Sequence, residues 1–358
     1  MKHRITRRAM LSLLPGSLAA QTSQSRKAKQ LPRMGEFVRL LDPATEGVVV
    51  RLTALTSTSL LPAPANRFVS ARDRFLMFSS NRTGKLAPFQ LNLRTGVLRQ
   101  MAEAVELDPR SVCLDESERF LYFIDRGVLK EVSIANKRTH TVAEDVSAFA
   151  MGRPGSSAVI VRGRDLQVLG GSVIARNVRP ECLIRPDGSG CFFARDAPTD
   201  GVEYWYAAIG NGRGAGGPRL LSKGKISFPF WSPDGEWLLF LRQIETEKAM
   251  VSEIRQVHVE SLIEQRVAAT TQFAVFSPNR NATVFVGASR SKAQPNVILL
   301  LRSLKREMTL CEHRAKEPRT VSPVFSPDSG RVYFESDREG KSALYSVNVE
   351  GFVEKTAT

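Results

Sequence analysis

The feature that most narrows the fold is a unit of strand, tight turn and strand that returns along the chain. It is clearest in the stretch from Ser322 to Gly351, SPVFSPDSGRVYFESDREGKSALYSVNVEG. Val324 and Phe325 end one strand. Ser326-Pro327-Asp328-Ser329-Gly330 reads as a turn. There proline presets φ, the aspartate carboxylate caps the backbone, and glycine is expected in the strained position. Arg331 to Glu335 alternates as a strand, Ser336 to Gly340 makes a second turn, and Ala343 to Val349 a third strand.

Copies are aligned on the residue eight places before the last large apolar residue of the second strand. They begin at Ser70, Asp115, Gly152, Arg185, Ser232, Ser277 and Ser326, with gaps of 45, 37, 33, 47, 45 and 49 residues. A period of roughly forty residues with several strands per unit is the mark of a β-propeller. The expected fold is therefore all-β: a seven-bladed β-propeller of four-stranded antiparallel blades. Third strands are expected at Phe89 to Leu93, Leu129 to Ile134 and Leu344 to Val349, and fourth strands at Val97 to Met101 and Thr139 to Ala143. The last unit keeps only Phe352 to Lys355 for its outer strand. Val48 to Thr53 has strand character but no blade of its own. It is expected to supply the missing strand and close the ring, which removes the open sheet edges of a linear array. The one mildly helical window is Ser261 to Ala268.

The first residues do not fit this pattern. Lys2, Arg4, Arg7 and Arg8 precede a short apolar run, Ala9 to Leu14, and then Pro15-Gly16-Ser17-Leu18-Ala19-Ala20. Charged, apolar and small residues in that order are those of an export signal. The Arg7-Arg8 pair is that of a twin-arginine signal for folded cargo. The expected organisation is a signal over 1–20, a linker over 21–35 and one propeller domain over 36–358. Cleavage is expected near Ala19 or Ala20, with delivery to a bacterial periplasm or beyond. No apolar stretch is long enough for a stable membrane span, and the protein is expected to act as a monomer.

Other classes recede. The net charge of +15 is spread along the chain rather than gathered in a stripe or a known module, so nucleic acid is not an expected partner. The four cysteines, Cys113, Cys182, Cys191 and Cys311, include no C-x-x-C pair, which argues against a cysteine zinc site. Cys182 and Cys191 flank one hairpin turn, and both a disulfide and two buried thiols are open there. There is no G-x-S-x-G elbow. The glycine-rich Asn211 to Gly217 has no following helix, so it reads as a turn rather than a phosphate cradle. Asp187, Asp234 and Asp328 are turn caps first.

The repeated strand and S-P-D-G turn resemble the TolB-type propeller repeat, most closely over Phe230 to Phe240 and Val324 to Tyr345. A narrower resemblance is to the oligogalacturonate lyase family. It is carried by Asp42-Pro43-Ala44-Thr45 leading to Val49 to Thr53, by Ser59-Leu60, by the unit after Phe230, and by Ser336 to Gly340. The resemblance implies a seven-bladed propeller. It further implies cleavage of short pectate fragments by β-elimination, with a divalent metal held mainly by histidines at the central pocket. The departures are at those histidines. Where the family places them, this chain reads Pro62-Ala63-Pro64-Ala65, Ser227-Phe228-Pro229-Phe230 and Thr320-Val321-Ser322-Pro323. The four histidines present are His3 in the leader, His140 and His258 in outer strand-like segments, and His313 beside Glu312 in a polar connection expected to be exposed. Such positions do not bring imidazoles to one ion, so no metal is expected.

Phe228 and Phe230 occupy the stretch before the turn and are expected at the channel mouth. Arg72, Arg195, Arg242 and Arg338, with Arg126 and Arg162, lie near inner strands and are placed to clamp carboxylates there. The expected binding set is Phe228, Phe230, Arg72, Arg195, Arg242 and Arg338. Two classes stay open. One is a non-catalytic exported propeller that binds an anionic oligosaccharide or a protein partner. The other is a polysaccharide lyase with an altered site, which would require manganese or calcium.

Overall fold

The structure is a computed structural model, and it describes residues 35–152, 157–199, 201–209, 217–245 and 250–350. The leader, the turn residues 153–156, most of the glycine-rich stretch and the C-terminal Phe352 to Lys355 lie outside the described residues. Seven antiparallel sheets follow one another along the chain, six of four strands and one of five. Helical structure among the described residues is a single 3-10 turn, Pro318–Thr320. The expected seven-bladed all-β ring is thus what the chain forms.

Four of the blades are built on one device. The first residue of the turn uses its backbone N–H and its side-chain oxygen together. Ser326 N–H donates to the Arg331 carbonyl at 2.8 Å, and its Oγ accepts from Arg331 N–H at 2.9 Å. Ser232 does the same with Trp237, Ser70 with Phe75, and Asp115 with Phe120. The following aspartate adds a second cap, as where Asp328 accepts from Gly330 N–H at 3.0 Å. The left-handed residue is the third after the start, so in the last blade it is Ser329 (φ 62°) and not Gly330. Gly188 and Gly235 hold this place in their own turns, with φ 77° and 73°.

In the sixth blade the turn is displaced. Asn279, two residues past Ser277, makes the bond to the residue five on and caps Thr283 and Val284 through its Oδ1. Ala282 takes the left-handed place at φ 56°. Ser277 is diverted to tie its blade to the next, donating from Oγ to the Pro323 carbonyl at 2.7 Å. An amide side chain caps as well as a hydroxyl, and the chain uses the one that leaves Ser277 free for that bond.

Second strands such as Phe120–Asp125, Val284–Ser289 and Arg331–Ser336 are buried on both faces, because each blade is covered by two neighbours. This is why they read as continuous apolar runs rather than alternating ones. The segment Glu264–Thr271, whose first five residues fall in the helical window, is a strand paired with Met250–His258. A left-handed residue, Leu262 at φ 59°, turns the chain into it, and cross-strand pairing overrides the local helix preference. All four cysteines are buried free thiols. Cys182 lies opposite Phe193 and Cys191 opposite Ile184. The two thiols are therefore diagonal on the hairpin, at a Cα spacing of about 7–8 Å, beyond disulfide reach.

Closure of the ring is as the sequence implies. Val48–Arg51 pairs with Ala343–Asn348, placing Val49 opposite Val347. A further strand, Val38–Leu41, adds outside it. The hairpin between these two strands is pinned by Asp42, which is 2% exposed. Its carboxylate accepts from Ala44 and Thr45 N–H on one side and from Glu312 N–H of the sixth blade on the other. Arg51 pairs with Glu339 at 2.8 Å, and Tyr345 donates to the same carboxylate. Val49 is buried with Val347, Phe334 and Tyr345. Val49→Ala should cost about 2 kcal/mol, read as a lower Tm. Deleting residues 36–55 should lower Tm much further and expose the Ala343–Asn348 edge to association. Unchanged stability of that deletion would refute closure by this strand.

Candidate functional site: the axial cavity

The inner strands converge on a cavity of about 470 Å³ at the end of the ring where each of them starts. Its wall takes residues from six blades. A single register explains most of them. Asn66, Ser111, Glu181, Phe228 and Ser322 each stand four places before the first residue of their turn, and all five line the cavity. Arg110, Ser147, Phe149, Phe230 and Arg319 fill the wall between them.

Backbone strain helps to aim two of these side chains. Phe228 has φ 56° and Ser322 φ 44°, and each precedes a proline. Positive φ is costly for a non-glycine residue and more so before proline. In the fifth blade the strain coincides with a bulge between Ser227 and Phe230, where one extra residue is accommodated. Phe228 then lies against Arg319, whose guanidinium is 5.4 Å from the ring centroid. That guanidinium has no carboxylate partner among the described residues. Arg110 is better anchored. It donates to the Leu61 carbonyl at 2.8 Å and to Ser322 Oγ at 3.1 Å, and lies 3.5 Å from the buried Glu335 carboxylate.

Glu181 is the acidic group of unusual character. Burial pushes its carboxyl from the ordinary 4.5 up to about 7, against the opposing pull of Arg179. Arg179 is itself taken by Asp196 at 2.8 Å.

The residues named from the sequence divide. Phe228 and Phe230 line the cavity. Arg72 sits in the turn of the first blade, at the opposite end of its inner strand. Arg195 stacks over Phe193 and Trp205, at 5.2 and 4.9 Å from their centroids. Arg242 donates to Ser222 at 2.7 Å and Glu264 at 2.9 Å. Arg338 lies 4.3 Å over Tyr345 and donates to the Glu312 carbonyl. None of these four arginines is part of the cavity wall. Arg195, Arg242 and Arg338 belong to or follow second strands, one strand spacing of about 4.8 Å farther from the axis, and their side chains engage other blade residues. The charged groups that do line the wall are Arg110, Arg319, Asp108 and Glu181. The place four before each turn was available in the sequence as a signal and would have found Glu181.

His313 is not exposed. It is fully buried, with Nε2 3.0 Å from the Ser289 carbonyl and Nδ1 accepting from Ala315 N–H. Glu312 pairs instead with Arg314. Burial holds the imidazole pKa below its usual value.

No family model matches this chain, and no curated protein does. Solved structures do. An oligogalacturonate lyase in complex with manganese superposes with a TM-score of 0.78 at 18% identity, covering 89% of this chain and 97% of that one. An oligogalacturonate lyase from Vibrio parahaemolyticus gives 0.77 at 18%, covering 90% and 99%. The protein has the fold of the oligogalacturonate lyases. A chain of a mitotic checkpoint complex is more distant, at 0.55 and 13%, covering 95% and 99%.

The residues present do not fit the manganese of the first of these. Among the described residues, no three His, Cys, Asp or Glu side chains converge. Both nitrogens of His313 are engaged within the protein. The cavity instead presents two guanidinium groups, which disfavour a cation.

The half-buried Glu181 carries a pH signature. The folded chain keeps this proton to about pH 7, whereas the unfolded chain loses it near 4.5. Below about pH 4.5 both states are protonated and the residue costs nothing. Stability then falls as pH rises to about 7, and the penalty stays constant above that. Glu181→Gln, which cannot ionise, should therefore raise Tm at pH 8 by the equivalent of roughly 2–3 kcal/mol, with little gain at pH 4.5. Thermal unfolding of both proteins at the two pH values checks this.

Proposed function

We propose that this protein is an exported propeller that binds an acidic oligosaccharide in its axial cavity without cleaving it. The observation that carries this is the pairing of Arg110 and Arg319 with an aromatic wall of Phe149, Phe228 and Phe230 in one cavity. Guanidinium groups hold carboxylates, and aromatic faces cover the apolar faces of sugar rings. A cavity of about 470 Å³ falls in the size range of small-ligand sites, so a short saccharide suits it better than a protein surface. The net charge of +15 favours an anionic ligand at long range.

The non-catalytic part of this reading rests on the chemistry of the wall. β-Elimination beside a uronate needs the carboxylate strongly neutralised before its neighbouring proton can be removed. In the segments where the lyase resemblance implies histidines, this chain reads Pro62 to Ala65, Ser227 to Phe230 and Thr320 to Pro323. None of these residues is an imidazole donor.

Calorimetric titration with trigalacturonate should give saturable binding. Arg319→Ala should weaken it at least tenfold, the cost of about 1.5–3 kcal/mol for losing a charged hydrogen bond. Tm should change little, because that guanidinium holds no carboxylate among the described residues and only covers the Phe228 ring. No binding by the unmodified protein would overturn the reading. So would robust formation of the ultraviolet-absorbing unsaturated product with manganese or calcium, abolished by a chelator. Export rests on Arg7 and Arg8. Changing both to Lys should retain the protein in the cytoplasm of a bacterial host, as read by cell fractionation. Unaltered delivery would remove the twin-arginine route.

A further inference from the structure

Glu181 differs from the other acids around the axis in having no partner. Asp108 accepts from Arg110 N–H, Glu335 accepts from Leu61 N–H and Ser342, and Asp196 holds Arg164 and Arg179. The Glu181 carboxylate makes no hydrogen bond or ion pair among the described residues, although it lines the cavity. A second polar group without a partner among the described residues lies on the same face of this blade, behind the cavity wall. Glu181 O accepts from Ala194 N–H, and Ala194 is opposite Tyr204 on the next strand, so all three share one face of the fourth blade. Tyr204 is buried, and its hydroxyl has no hydrogen-bond partner among the described residues. Its ring is held edge-on by Phe192 at 4.7 Å and Phe240 at 5.9 Å, which fixes the hydroxyl in place. The charged and titratable groups around Glu181 are Arg179, Tyr204, Cys182, Arg319 and, on the second blade's part of the wall, Asp108 and Arg110. Arg179, Asp108 and Arg110 are already committed to other bonds.

We propose that Glu181 is the proton-carrying ligand group of this cavity: as the neutral acid it donates to a carboxylate of the bound saccharide, so the site takes up one proton per ligand. This rests on the acidic-saccharide reading above. Two carboxylates brought together in a low-dielectric site share a proton rather than both ionising. The protein carboxyl is the one that takes it, because the saccharide carboxylates are ordinary acids ionised in water while burial already favours the neutral form of Glu181. The proton comes from solvent and resides on one Glu181 Oε, with no bond in the saccharide made or broken. The cavity thereby becomes selective for carboxylate over neutral sugars and releases its ligand as pH rises.

The test is calorimetry of trigalacturonate binding to the full-length protein at pH 8, in HEPES and in Tris, which differ in ionisation enthalpy. The difference in heat between buffers reports protons taken up. An uptake near one per ligand is expected, with affinity falling nearly tenfold per pH unit above about 7. Glu181→Gln should bind with the same heat in both buffers and an affinity independent of pH. Should that variant fail to fold, the buffer comparison on the unmodified protein decides alone. Binding with no proton uptake at pH 8 overturns this proposal and leaves the saccharide reading standing. Uptake that persists in a folded Glu181→Gln protein also overturns it, by assigning the proton elsewhere. Absence of any binding removes both.

Discussion

The pairing of Val48–Arg51 with Ala343–Asn348 is the contact on which the rest of the structure depends. A ring of blades gains stability only when first and last meet, since each blade buries its faces against two neighbours and an open ring leaves two sheets half-covered. The closing strand joins residues nearly three hundred positions apart. It is reinforced by polar bonds that fix its register: Asp42 to Glu312 N–H, Arg51 to Glu339, and Leu344 N–H to Thr53. A slip of one residue would turn Val49 out of the core it shares with Phe334 and Tyr345. The cavity inherits its shape from this closure, because strands from six blades supply its wall.

The scaffold and the site are separated along each inner strand. The turn end carries the capping bonds that repeat from blade to blade, and its residues are constrained by them. The bonds at the starting end differ from blade to blade, as where Ser111 Oγ accepts from Ile124 N–H and Asn66 Nδ2 donates to the Arg110 and Val112 carbonyls, and the residue four before the turn varies with them. It is Asn66, Ser111, Glu181, Phe228 or Ser322 in different blades. The strained backbone at Phe228 and Ser322 is affordable because the surrounding strands overdetermine it. The result is a wall with cationic, acidic and aromatic groups, on a fold shared at 18% identity with enzymes that cleave oligogalacturonate. Fold alone does not carry that chemistry; the side chains in the cavity do.

Much of the architecture was legible because its causes are local. Ser-Pro-Asp turns, apolar second strands and their spacing lie within short stretches, and they report blade number and closure directly. The sixth blade shows the limit. Ser277-Pro278-Asn279 matches the turn pattern by letter, yet Asn279 does the capping and Ser277 bonds the neighbouring blade. Two competing caps two residues apart look alike until the neighbour's Pro323 carbonyl is in place. Ser261 to Ala268 shows the same limit, since its partner strand, not its own helical propensity, decides its state.

The sequence by itself determined the class of fold, the count of blades, the strand that closes them, and the lack of histidines in the segments that reach the axis. Each follows from residue types at fixed short spacing. Only the tertiary structure decided which arginines face the cavity, that His313 is a satisfied core residue, and that Glu181 is an unpaired acid held toward neutrality. Those properties arise where residues tens to hundreds of positions apart meet. Direction around a strand, burial and electrostatic surroundings are set there by neighbouring blades, and no stretch of the chain contains them alone.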